Sequence, residues 1–325
     1  MKRLRLCGGI FLVLVLAYGA RSYGQPAVSL SHIDDPGFSM VFYGLNEGKI
    51  KSDRVKLTLY PMAVPALIQV MGTKQTDITQ TSAIAYAKAV KRGLDAKIIA
   101  LGAVPRDDGY GIFVRADSGL TRMGDLKGKR LGVHSLGAAN VVHAKVVLAK
   151  VHGLNMALVG GDINAVEAPP LQLVAMLEQG KIESIYAFGI GFYQSSKRKE
   201  FRLLLNAGGE YQKAFGENPP VAAYVAFTDR IKQKPEAMKE TQRLIFESAK
   251  YYVQNADVVT KAVAAKYRLD PEYLRWWVMK AQEDPNSLEE KLVNALAQFF
   301  KLSNEIGELE YLPNVREMLW KGFWE

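Results

Sequence analysis

Four histidines, one pair of adjacent aspartates and a small polar loop are the residues of this 325-residue chain whose types could do chemistry. His32 stands just before Asp34-Asp35-Pro36-Gly37, His134 opens the stretch His134-Ser135-Leu136-Gly137-Ala138-Ala139-Asn140, and His143 and His152 follow it. None of the four sits in an HExxH or Cys/His spacing, so no metal and no cofactor are expected. Neighbouring carboxylates point in different directions, and an Asp before Pro-Gly is commonly a turn or cap, so Asp34 reads as a ligand contact rather than an acid–base catalyst. Gly124-Asp125-Leu126-Lys127-Gly128-Lys129-Arg130 has one residue too few between its glycines for a phosphate loop, and Arg130 stands where Ser or Thr must reach magnesium. There is no G-x-S-x-G elbow and no complete G-x-G-x-x-G. Cys7 is the only cysteine and lies in the N-terminal segment. No catalytic residue is expected; the surviving pattern is one for holding a ligand.

The elements that would position these residues alternate between strand and helix. Ala27 to Ile33 and Val55 to Tyr60 read as strands, with Pro61-Met62 as a turn after the second. Phe38, Val41, Phe42 and Leu45 form a helical stripe; Ala66, Leu67, Val70 and Met71 form another, stopped by Gly72. Thr76 to Thr79 is a short strand, and Thr81 or Ser82 caps a helix that closes at Gly93. Ala96 to Val104, Tyr110 to Arg115 and Leu131 to Val133 are further strands. Val141, Ala144, Val147, Leu148 and Val151 then make a helix ending at Gly153. Such alternation argues for βαβ units and a mainly parallel sheet. Gly72 before Asp77-Ile78 and Gly180 before Glu183-Ser184-Ile185 form a faint internal echo that favours two similarly built lobes. From Pro235 the chain turns helical, and Trp276-Trp277, Trp320, Phe323 and Trp324 read as docking surfaces for those helices or as a partner-binding patch.

Lys2, Arg3 and Arg5 precede an apolar run from Leu6 to Ala17 and small residues follow, the form of a secretory signal peptide over residues 1–24. Cleavage after Gly19, Ala20 or Gly24 fits, with an uncleaved anchor as the alternative. Its removal takes four cations from the formal charge of +9 and leaves a mild surplus that tilts the field toward anions. The remaining Lys and Arg are dispersed, so no nucleic-acid partner is expected. Export without disulfides suits a periplasm-like compartment.

Asp125-Leu126-Lys127-Gly128-Lys129-Arg130-Leu131-Gly132-Val133 resembles the signature of ABC-transporter substrate-binding proteins of the nitrate/sulfonate/taurine type, related to the NMT1/THI5-like domain. Phe113 to Gly119, Gln80-Thr81-Ser82-Ala83 and Gly180-Lys181-Ile182-Glu183 add to the resemblance, which covers about residue 27 to 300. It implies the type II periplasmic binding protein fold: a two-lobed α/β protein, each lobe a mainly parallel sheet flanked by helices, with the C-terminal helices packed on the first lobe. The expected division is 25–113 and 221–325 in lobe 1 and 114–220 in lobe 2. Crossings would lie near Gly111–Ala116 and Asn206–Val221. A monomer that closes on a small-molecule ligand and presents it to an ABC permease in the inner membrane follows from the resemblance. The enzyme alternative is a pyrimidine-precursor synthase or menaquinone-pathway type on the same fold; a ligand sensor is another.

Open α/β sheets bind ligands at the carboxyl ends of their strands. On that ground the first lobe offers His32, Asp34, Phe38, Met62, Val64, Thr81 and Ser82, with Arg106 on the connection between lobes. The second offers His134, Ser135, Gly137, Asn140, Glu167 and Phe188. Arg106 and the helix N-termini favour an organic anion or an aromatic or heteroaromatic acid, whereas Asp34, Asp35 and Glu167 could address amine or ring N–H groups. Gly137-Ala138-Ala139 and Glu183 depart from the family pattern, which often has Ser or Thr and Asp there.

Overall fold

The computed structural model describes residues 24–325, so the signal-peptide reading and Cys7 lie outside the described residues. The first part of the chain builds β1 (Ala27–Ile33), α1 (Pro36–Val41), α2 (Tyr43–Asn46), β2 (Lys56–Met62), α3 (Val64–Thr73), β3 (Ile78–Ser82), α4 (Ala83–Lys91), β4 (Ala96–Gly102) and β5 (Val104–Pro105). The middle part builds β6 (Tyr110–Arg115), β7 (Arg130–Val133), α5 (Ala139–His152), β8 (Met156–Ala157), β9 (Ile163–Glu167), α6 (Pro170–Glu178), β10 (Ser184–Phe188), α7 (Gly189–Ser196), β11 (Phe201–Asn206) and α8 (Ala207–Phe215). The chain returns through β12 (Ala222–Phe227), α9 (Thr228–Gln233), α10 (Pro235–Gln254), α11 (Ala256–Tyr267) and α12 (Pro271–Trp276). A π-helical turn, Trp277–Ala281, leads to β13 (Gln282–Glu283), then α13 (Glu290–Glu305) and α14 (Val315–Met318).

Two large sheets result, one per lobe, beside a separate two-stranded β13–β5 pair. The first has the order β2-β1-β3-β12-β4 and the second β11-β6-β10-β7-β9-β8. Read from its other edge, the second repeats the first: β9-β7-β10-β6-β11 stands where β2-β1-β3-β12-β4 stands. In each, the first three strands run parallel, and the strand that enters or returns from the other lobe, β6 or β12, lies antiparallel to its neighbours. The sheets are therefore mixed, because a chain that crosses between lobes and comes back must reverse direction. β12, Ala222 to Phe227, is buried along its whole length, as a strand with helices on both faces must be.

The echo heard in the sequence has a physical basis. Asp77 Oδ2 accepts the Ser29 N–H at 2.8 Å and its hydroxyl at 2.9 Å, tying the start of β3 to β1. Glu183 Oε2 accepts the Arg130 N–H at 2.8 Å, tying β10 to β7 in the same way. The signature turn is structural too: Asp125 accepts the N–H groups of Thr121 and Arg122, which hold its carboxyl down at about 2, while Leu126 is fully buried.

Several local expectations change. Pro61 and Met62 do not turn the chain but finish β2 beside His32 and Ile33. Gly72 does not stop its helix, which runs to Thr73 and ends on Lys74 in the left-handed region at φ 54°. The expected strand from Ala96 to Val104 breaks at Ala103, also left-handed, whose N–H is held by Asp284 Oδ1 at 3.0 Å. Ser82 does cap α4, its Oγ accepting the Ala85 N–H.

α10 lays Met238, Leu244, Ile245, Ala249 and Tyr252 against α1 and β1 of the first lobe. α13 goes further, packing Leu296, Phe299 and Phe300 in one core with Val141, Val142 and Leu148 of α5 and with Ile84 and Ala87 of α4. Each fully buried Val or Leu in such a core contributes roughly 1.5–3 kcal/mol. The terminal aromatics are docking residues: Trp324 meets Phe246 edge-on at 4.8 Å, and the Phe323 N–H binds Gln242.

Candidate functional site

At the carboxyl ends of β1, β3, β7, β9 and β10 the side chains sort into two groups, one for each sheet. On the second lobe, the His134 and Phe188 rings lie 4.7 Å apart, and Phe188 stacks on Tyr110 at 6.4 Å and 13°. Burial pushes the His134 imidazole down to about 4, so it is neutral near pH 7, and its Nδ1 is buried without a partner. Glu167, at the end of β9, accepts the Leu136 N–H at 2.6 Å and so holds the loop that carries Ser135 and Gly137. Asn140 lies in the first turn of α5; its carbonyl accepts the Tyr186 hydroxyl at 2.7 Å, and its Oδ1 accepts the Val141 N–H. α7 begins directly after β10, α6 two residues after β9 and α5 after the 134–138 loop that follows β7, and none has a side-chain bond from its N-cap residue. The Val141 N–H of α5 is already bound and Pro170 gives α6 no donor at its first position, so α7 and the first two residues of α5 are where an anion could find N–H groups at the sheet edge.

The first lobe contributes differently. His32 is buried against Phe42 with ring centroids 4.3 Å apart, its Nδ1 is 3.0 Å from the Ile33 carbonyl oxygen, and burial lowers it to about 4. Asp34 is exposed and accepts the Tyr267 hydroxyl at 2.7 Å, while its N–H reaches the Met62 carbonyl. Phe38 packs into the core shared by both lobes. Val64 is the first residue of α3; Thr81 pairs with Ala223, and Ser82 is occupied as a cap.

Arg106 lies elsewhere. Its guanidinium donates to the carbonyls of Val278 and Met279 and pairs with Glu283 at 3.4 Å. With Asp107, Asp108, Glu217 and Asn218 it lines a cavity of about 490 Å³ beside the β5–β13 pair, away from the aromatic group. Among the described residues, no group of three or more His, Cys, Asp or Glu could hold a metal ion.

Sequence reasoning read Asp35 as a turn or cap and Trp277 as a docking residue, but passed over Gln282 and Asp284 and the contacts that tie these groups together. Asp35 caps α1 through the Gly37 N–H at 2.8 Å, and burial raises its carboxyl above the usual range. Tyr110 donates to Gln282 at 2.6 Å, and the Gln282 amide donates to both oxygens of Asp284 at 2.9 and 3.0 Å. Asp284 is 3% exposed and burial raises it to about 6. Trp277 is 4% exposed with an unpartnered indole N–H. A Cβ at Gly37 would meet its Nε1 and Cε2 at 2.9 Å, and one at Gly189 would meet Cζ3 at 3.2 Å. The signal available in the sequence was two isolated glycines and a Trp pair, more than 80 residues from either.

A protein-family model described as menaquinone biosynthesis matches residues 28–305, which takes in both sheets and every strand named above. The chain belongs to this family. Solved structures share its fold at low identity. The alkanesulfonate-binding protein of Xanthomonas axonopodis pv. citri, bound to MOPS, is 18% identical with a TM-score of 0.73 over 91% of this chain and 99% of that one. The periplasmic aliphatic sulphonate binding protein of Escherichia coli is 15% identical with a TM-score of 0.71 over 91% of this chain and 92% of that one. A DSZB mutant in complex with biphenyl-2-sulfinic acid is 13% identical with a TM-score of 0.66 over 92% and 97%. No curated protein matches the sequence. This member of the family thus has the two-lobed periplasmic binding protein fold, and no helix among its described residues is long and apolar enough to cross a membrane.

Proposed function

We propose that the protein captures a small organic anion, an aromatic or heteroaromatic acid, between its two lobes. In this reading it is the monomeric solute-binding component of an ABC importer, exported by its N-terminal segment and serving a membrane permease. The first lobe is 25–113 with 221–325, and the second is 114–220. The observation that carries it is the His134–Phe188 ring pair, with Phe188 directly preceding α7 and His134 opening the loop that leads into α5. Free N–H groups and a neutral imidazole hold a carboxylate or sulfonate, and flanking rings receive a planar body. The sulfonate-binding neighbours lend the fold-level precedent.

A thermal-shift screen with anthranilate, benzoate, benzenesulfonate and nitrate tests the reading. A ligand at about 100 times its dissociation constant stabilises by about 2.7 kcal/mol. Response to heterocyclic amines alone would exclude the anion. The family match favours a second reading, an enzyme acting on such an acid in the same cleft. Conversion of a bound acid over hours, seen by mass spectrometry, would make that the better one.

A further inference from the structure

The segment that follows the π-helical turn is laid along the first crossing between the two large sheets. β4 of the first sheet ends at Gly102 and β6 of the second begins at Tyr110. Between them β5 pairs with β13, the Arg106 N–H reaches the Ala281 carbonyl at 2.9 Å, and a Cβ at Gly109 would strike that same carbonyl. The side chains of the segment bridge the two ends of the crossing. Asp284 Oδ1 accepts the Ala103 N–H at 3.0 Å, where the backbone is left-handed at φ 55°. At the other end the Tyr110 hydroxyl donates to Gln282 Oε1 at 2.6 Å. The Gln282 amide nitrogen closes the chain by donating to both oxygens of Asp284.

The carboxylate decides which way that amide points. A carboxylate only accepts, so the Gln282 nitrogen must face Asp284, and its oxygen is left for Tyr110. Tyr110 is the cross-strand partner of Phe188 and stacks on it at 6.4 Å and 13°, and Phe188 lies 4.7 Å from His134. Once Asp284 is protonated, one of its oxygens becomes a donor; the amide is then free to turn over, which takes the acceptor away from Tyr110. Burial raises Asp284 to about 6. The groups that face it are an acid and phenols rather than cations: Asp35 of α1, Tyr110 of β6, Tyr224 of β12 and Tyr252 of α10. The Tyr252 hydroxyl donates to Oδ2 at 3.4 Å and is itself within reach of the Arg106 and Glu283 charges.

We propose that Asp284 is a positioning residue for the cleft: acting through Gln282 and Tyr110, its carboxylate sets the Phe188–His134 ring pair against which a ligand packs. This rests on the reading of that pair as the ligand site. A ligand of fixed charge then binds more weakly in acid, as the carboxyl takes up its proton, through a group that stands two side chains behind the rings.

Nuclear magnetic resonance on the full chain tests the coupling without a ligand. Between about pH 8 and 5 His134, held down at about 4, stays mostly neutral, so its own charge does not intrude. Over that range the Ala103 amide signal should move with a midpoint at about 6, and the Phe188 amide and His134 ring signals should follow the same midpoint. In Tyr110→Phe, which keeps the ring and removes the hydroxyl, Ala103 should still respond and Phe188 should not. Asp284→Asn should abolish the midpoint at all three. Should either variant fail to fold, the wild-type signals still decide: Phe188 and His134 signals that ignore the Ala103 midpoint overturn the role of Asp284. A Phe188 response that survives in Tyr110→Phe does the same. Benzenesulfonate, which keeps its charge over this range, should bind about three- to tenfold more weakly at the acid end, the worth of one neutral hydrogen bond, and the difference should vanish in Asp284→Asn. Binding that ignores pH, or that keeps its pH dependence in Asp284→Asn, also overturns the role. Coupled signals with no benzenesulfonate binding support the positioning and count against the ligand reading of the cleft.

Discussion

Glu183 Oε2 holds the backbone N–H of Arg130 at 2.8 Å and so fixes the start of β10 to the start of β7. Asp77 does the same for Ser29 in the other lobe, with Lys234 at 2.9 Å as its counter-ion. Removing either acceptor leaves a strand N–H without its partner. Glu183→Ala and Asp77→Ala should each lower stability by about 1–3 kcal/mol, measured by urea unfolding. A loss below half that for both would mean that the strand register is held by packing alone.

Acid should destabilise the protein. His32, His134 and His143 are each pushed down to about 4 by burial, against about 6.5 in an unfolded chain. Between those values the unfolded state binds more protons, so stability is complete above about pH 6.5 and falls toward pH 4. The fully buried His143 alone accounts for about 3 kcal/mol at full effect. Unfolding free energies at pH 7 and pH 4.5 check this; a flat profile contradicts neutral burial of the three imidazoles.

Asp284 has the opposite sign. Its carboxyl is raised to about 6 from an ordinary 3.8, so the folded state prefers it protonated, and this contribution is lost as pH rises through 6. Asp284→Asn keeps an acceptor for Ala103 and should raise stability at pH 8 by about 1–3 kcal/mol, with the gain vanishing below pH 4. Equal effects at both pH values would show that the carboxyl does not titrate with folding.

Gly37 has an ordinary φ, so its requirement is space. Gly37→Ala must displace the Trp277 indole and should cost about 1–3 kcal/mol, with a red-shifted tryptophan emission. An unchanged spectrum and melting point would place the indole elsewhere.

Asn140→Ala should weaken anthranilate binding about tenfold, the worth of one hydrogen bond to a charged group, with little loss of stability. Glu167→Gln should loosen the 134–138 loop and weaken binding in parallel. Isothermal titration reads both, and unchanged affinity in the two variants would remove the loop from the site.

The sequence by itself determined the local grammar. Alternating apolar runs, the caps at Ser82 and Asp35-Pro36-Gly37, and the glycines at 93 and 153 all act within a few residues, so the two-lobed α/β fold and most of its elements were legible, though not the ends of β2 and β4. So was the role of Asp125 to Val133 as a structural turn and strand. What lay hidden was whatever depends on contacts distant in the chain: the left-handed Ala103 held by Asp284, and Arg106 drawn to the 278–283 segment. The same holds for Trp277, set between glycines 240 and 88 residues away in the chain. A tryptophan pair on an apolar stripe carries the same local signal whether it docks one helix or packs against both lobes. Only packing decides between them, because the partners that define the difference are supplied by both lobes at once.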